Sequence, residues 1–124
     1  MQGTIKGIFI NVYEGFIKIA EIEKKTEEYY KLLGCECIGI VKRRIGNRWY
    51  EIVVDDNGAL LDNPRISAVD PHGIPALVGN LFIVKFDGKE DITSLSIDDI
   101  NYISNFIKSY FTANCFLLTN VHFA

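Results

Sequence analysis

Apolar residues alternate from Gly7 to Val12, stop at Tyr13-Glu14-Gly15, and alternate again from Phe16 to Ile22. Two alternating runs around a short glycine-containing link predict a β-hairpin, with Ile17 and Ile19 on one side of its second strand and Lys18 on the other. The period then changes. In EIEKKTEEYYKLLG, Tyr29, Leu32 and Leu33 fall at three- and four-residue spacing, a single apolar stripe on a helix. Thr26 is placed to cap it, Glu27 and Glu28 suit its positive end, and Gly34 can end it in a left-handed conformation. So short a helix must be held by packing against a sheet rather than by propensity. Alternation returns in Cys35–Val41 and Trp49–Val54, joined across Ile45-Gly46-Asn47 as a second hairpin.

The turn Asp56-Asn57-Gly58 leads into a polar loop, residues 59–76, that holds all three prolines. It is followed by the most continuous apolar stretch, Ala76 to Phe86. The run Leu81-Phe82-Ile83-Val84 predicts a central strand covered on both faces, and Gly79 predicts a bulge or a close backbone approach. Ser96 and Asp99 form a capping-box pattern ahead of Ile100, Ile103, Ile107, Tyr110 and Phe111, which share one helical face. The tail ANCFLLTNVHFA is too apolar to hang free, so a last strand or an oligomer contact is expected. The fold class that results is α+β: one domain over residues 1–124, with a curved, mainly antiparallel sheet of about five or six strands and two helices packed on one face of it.

Composition narrows the class without naming a function. The chain has 124 residues, 48% hydrophobic and 23% charged, enough for one packed domain. A net charge of −3 speaks against a general nucleic-acid binder, and direct nucleic-acid binding is not expected. The basic residues gather once, at Lys42, Arg43, Arg44 and Arg48, as befits a solvated hairpin tip. Three cysteines make an odd set. Cys35 and Cys37 lie two apart on a strand, unsuited to an ordinary disulfide, and should pack as small apolar side chains. The expectation is a reduced cytoplasmic protein with no membrane span. His72, Cys115 and His122 have no paired metal-ligand spacing, so neither a metal nor a cofactor is expected.

Candidate chemistry concentrates in the polar loop, stiffened by Pro64, Pro71 and Pro75. Arg65 can grip a phosphate or carboxylate with two hydrogen bonds. Asn63, Ser67 and Asn80 match a base edge or a ribose, and Asp62 or Asp70 can take a hydroxyl. Asn63, Ser67 and Asp70 can instead simply satisfy loop backbone through side-chain turns. His72 sits between Pro71 and Gly73 with Asp70 as its sequence neighbour, but no nucleophile elbow, phosphate-cradling loop or metal-binding helix accompanies it. No residue is assigned a catalytic role. Trp49, the only tryptophan, suits a core or sheet-edge position, or a stacking surface.

A longer pattern resembles a known family. It begins with a strand ending in the acidic Asn-Gly turn at Asp55–Gly58, followed by Ala59-Leu60-Leu61 and Asn63-Pro64. Ser67-Ala68, Leu77-Val78-Gly79-Asn80-Leu81-Phe82-Ile83 and Thr93-Ser94-Leu95 complete it. Together they resemble domain-of-unknown-function family 3846, small proteins of bacteria, their phages and mobile elements. The likeness covers residues 5–110 and leaves 111–124 as a docking or oligomerisation segment. The basic hairpin at Arg43 and Arg44 and the apolar tail after Thr112 depart from the family pattern. The family brings no chemistry, but it implies the genomic company of counter-defence proteins.

The resulting expectation is a phage or mobile-element accessory protein that binds a nucleotide-like immune signal without turning it over. Arg65 would meet phosphate, Asn63 and Asn80 the base or sugar, and Trp49 or Tyr50 would stack. One alternative is an inhibitor that contacts a host defence protein, such as a CRISPR–Cas effector, through its sheet edge and tail. A second is a small nucleotide-processing enzyme that depends on His72 or Asp70. A homodimer in the bacterial cytoplasm fits the apolar tail.

Overall fold

The computed structural model describes residues 3–57, 65–86, 88, 91–111 and 117–123. Strands β1 (Thr4–Asn11) and β2 (Phe16–Glu23) form the first hairpin, in register from Thr4 opposite Glu23 to Asn11 opposite Phe16. Helix α1 (Thr26–Leu33) follows and ends at Gly34, whose φ of 68° is the left-handed cap that a glycine accepts without strain. Its N-cap is Lys25, one residue earlier than the composition suggests, with no side-chain hydrogen bond. Strands β3 (Ile38–Ile45) and β4 (Arg48–Asp55) make the second hairpin.

Beyond the described gap come β5 (Ile66–Val69), β6 (Pro75–Val78) and β7 (Leu81–Phe86), then the two-residue β8 (Ile92–Thr93). Helix α2 (Ile97–Ser104), β9 (Ile107–Phe111) and β10 (Leu117–His122) complete the chain. The larger sheet runs β2-β1-β7-β4-β3, all antiparallel, with β8 paired to the end of β7. The run Leu81 to Val84 does sit at its centre, fully buried on both faces. A close approach holds β1 to β7: a Cβ on Gly7 would stand 2.2 Å from the carbonyl oxygen of Ile83.

Each face of this sheet carries its own core. On one, Ile5, Phe9, Val53, Phe82 and Val84 pack under Tyr29 and Leu33 of α1. On the other, Ile8, Ile10, Ile52, Val54, Leu81 and Ile83 pack against Leu95, Ile103, Ala68 and Val121. Large side chains such as Phe82, Ile52 and Ile103, withdrawn completely from water, each contribute roughly 1.5–3 kcal/mol. The fold is α+β, with an open, mainly antiparallel sheet and two helices.

Three features differ from the sequence reading. The helices lie on opposite faces of the sheet rather than on one, because α2 shares its core with a second sheet. That second sheet, β6-β5-β10-β9, was invisible because it is assembled from short pieces. Two come from the polar loop and two from beyond α2, and β5 pairs with β10 in parallel. The helix also stops early. Asn105 and Phe106 donate to the carbonyls of Tyr102 and Ile103, and Ile107 onward becomes a strand. Ile107 still faces the core, so one apolar position served both periods. Cys35 packs beside the α1 core, whereas Cys37 is exposed; Cys115 lies outside the described residues.

Candidate functional site

The loop residues singled out by sequence are distributed over three places. Asp62 and Asn63 lie outside the described residues. Arg65, at the entrance to β5, donates from Nη1 to the carbonyls of Val12 at 3.3 Å and Tyr13 at 3.1 Å, with its guanidinium 5.6 Å from the Tyr13 ring centroid. Asn80, in the bend between β6 and β7, is buried. Its Oδ1 accepts from the Val12 N–H at 2.9 Å and its Nδ2 donates to the Leu33 carbonyl at 3.2 Å. Arg65 and Asn80 therefore meet at the β1–β2 turn.

Ser67 is fully buried in β5, and its hydroxyl has no hydrogen-bond partner among the described residues. Asp70 closes the β5–β6 turn by accepting from the N–H groups of His72 at 2.8 Å and Ile74 at 2.9 Å. This is the side-chain turn that aspartate favours. His72 is exposed at the tip of the same turn. Trp49 lies on β4, opposite Arg44 and on the α1 face of the larger sheet.

One cleft of about 480 Å3 opens beside Asn80. The β1–β2 turn (Asn11, Tyr13, Glu14), the end of α1 (Lys31 to Gly34) and Asp55 complete its lining. The Tyr13 hydroxyl is buried there without a hydrogen-bond partner among the described residues, and burial, reinforced by the charge of Asp55, raises its pKa.

A second polar cluster surrounds Asp99, which is 2% exposed. Oδ1 accepts from the Tyr50 hydroxyl at 2.9 Å and from Arg48 at 3.3 Å. Oδ2 accepts from the Ser96 hydroxyl at 2.8 Å, the Ser96 N–H at 3.2 Å and Lys85 at 3.1 Å. Burial alone would push this carboxyl up, but the hydrogen bonds from Ser96, Tyr50 and Lys85 outweigh it and hold the pKa at about 2. Tyr50 is pushed up to about 12, by burial and then by its bond to Asp99. Arg48 also reaches Asp98 at 2.9 Å and lies 4.1 Å from the Tyr102 ring centroid.

With both oxygens so fully engaged, Asp99 anchors the start of α2 to β4 and β7 rather than awaiting a proton. The capping pattern pointed to its bond with Ser96. Nothing local announced Arg48, Tyr50 or Lys85, which the fold brings in from other strands.

The exposed apolar surface forms the third candidate. Cross-strand register puts Ile40 opposite Val53, Lys42 opposite Glu51 and Arg44 opposite Trp49. Val53 and Trp49 share a face of β4, as do Phe82, Val84 and Phe86 on β7. Helix α1 covers the Val53–Phe82–Val84 part of this face and leaves the remainder open. There Trp49 is 58% exposed, Ile40 50% and Phe86 37%. Lys42 Nζ stands 5.9 Å from the ring centroids of both Trp49 and Phe86, bridging the two aromatics.

Among the described residues there is no cluster of three metal-ligating side chains, and no helix is long and apolar enough to cross a membrane. The family comparison rests on the greater part of the chain. Residues 5–108 match the domain of unknown function DUF3846, and the chain belongs to that family. No curated protein and no solved structure matches it.

Proposed function

We propose that this chain is a non-catalytic binding protein that contacts another protein through the uncovered part of its α1 face. The observation that carries the reading is Trp49, more than half exposed on a rigid sheet and flanked by Phe86 and Ile40. Exposed aromatic side chains with preset orientations are the usual anchors of protein interfaces, and a neighbouring cation adds selectivity. The resemblance supplies the setting: a phage or mobile-element accessory that blocks a host defence protein. The test is capture of a partner by wild type and by the Trp49→Ala, Phe86→Ala double variant. The double variant should fold normally and lose the partner; undiminished capture would refute the reading.

A second reading is favoured by the cleft beside Asn80. Its volume is in the range that holds a nucleotide-sized ligand. A nucleotide-like signal would meet Lys31, Asn80 and Tyr13 there, with Arg65 behind Tyr13. Against it stands the prior engagement of Asn80 at both ends of its amide. Native mass spectrometry of protein purified from a bacterial host decides this reading. A retained small molecule that denaturation releases supports it, and an empty protein removes it.

A further inference from the structure

We infer that the partner is an acidic, extended protein segment that adds as a strand to the free edge of β3. This rests on the protein-contact reading of the α1 face and specifies how that contact is made. Among the described residues β3 pairs only with β4, so one side of an eight-residue strand without proline or bulge is left at the edge of the sheet. Such an edge presents unpaired backbone donors and acceptors and is a template for another strand.

The side chains along it choose which strand. Lys42, Arg43 and Arg44 follow one another, and none of them forms an ion pair with a carboxylate among the described residues. A second copy of β3 would set these cations against one another, so they discourage self-pairing while attracting acidic side chains. Ile40, Lys42 and Arg44 point to the same face as Trp49. An incoming strand would therefore carry one apolar and two acidic residues at alternate positions on that face, with the apolar one beside Ile40. Arg43, on the opposite face, donates to the Lys42 carbonyl at 2.9 Å, an edge acceptor that it must release when a strand adds, and the freed guanidinium can then meet a third acid. The net negative charge of the whole chain and Glu51 opposite Lys42 make this edge less suited to a polyphosphate backbone.

The experiment uses the full chain and a short fluorescent Glu–Thr peptide, in which Glu and Thr alternate and one valine replaces the Glu that would face Ile40. Its controls are a Lys–Thr peptide, the Glu–Thr peptide with a central proline, and oligothymidylate. The Glu–Thr peptide should bind and protect β3 amides from hydrogen exchange, while the proline and Lys–Thr peptides should not. Lys42→Glu with Arg44→Glu should weaken Glu–Thr binding by about tenfold or more and admit the Lys–Thr peptide. No binding of the Glu–Thr peptide, equal binding of the proline peptide, or binding of oligothymidylate alone would overturn the inference. If the charge-reversed variant still captures the cellular partner while Trp49→Ala, Phe86→Ala does not, strand addition falls and the broader reading stands.

Discussion

Asn80 and Arg65 hold opposite ends of one residue. The Asn80 amide oxygen accepts from the Val12 N–H at 2.9 Å, and Arg65 donates to the Val12 carbonyl at 3.3 Å. Two side chains that suggest ligand recognition in sequence thus clamp the end of β1 to the bend before β7 and to β5. Asn80→Ala leaves two buried groups unpaired and should cost about 2–4 kcal/mol, whereas Arg65→Ala, half-exposed with longer bonds, should cost about 1 kcal/mol. Because they share Val12, a double-mutant cycle by denaturant unfolding should give a coupling of roughly 0.5 kcal/mol or more. Additive losses would show that the two act separately.

The Asp99 cluster makes a prediction about acid. Its carboxyl is held below its ordinary value of 3.8, at about 2, so folding is favoured when it is ionised. That contribution, roughly 2 kcal/mol, is complete above about pH 4 and lost as pH falls through about 2. Asp99→Asn should therefore destabilise the protein at neutral pH and approach wild type near pH 2. Urea unfolding of both proteins from pH 7 to 2 checks this; a pH-independent difference would assign the effect to packing.

Trp49 offers a direct view of the proposed face because it is the only tryptophan. With Lys42 near its ring and Arg44 directly across the strand pair, iodide should quench its fluorescence more strongly than caesium. Lys42→Glu with Arg44→Glu should reverse that order. Trp49→Ala should alter stability by no more than about 0.5–1 kcal/mol, since more than half the side chain is already in water. Weak quenching by both ions would place the indole in a buried site.

The two hairpins, α1 with its Gly34 cap, the buried centre of β7 and the Ser96–Asp99 capping box were all legible in sequence. Each is a local pattern of period or cap chemistry. The second sheet was not. The four residues of β5 are too few for a periodic signal, β6 begins at a proline, and β9 could pass for the last turn of α2 because Ile107 fits both spacings. The roles of Arg65 and Asn80 were equally hidden, whereas the side-chain turn of Asp70 was one of the two readings its loop position allowed. A polar side chain reads the same in sequence whether it awaits a ligand or satisfies a backbone group contributed from afar. Trp49 suits a core or a sheet edge in sequence, yet it stands on β4, between β3 and β7, and more than half exposed, because its cover depends on where the short α1 runs out.

The claim that this protein works by contact through the open α1 face is tested most directly by photo-crosslinking in cells that express it. A benzophenone amino acid would replace Trp49 in one variant and Ile97 in another. Ile97 is 77% exposed at the start of α2, on the side of the sheet away from α1. The account predicts a discrete protein adduct from position 49 and none from position 97. No adduct from position 49, or the same adducts from both positions, would contradict it.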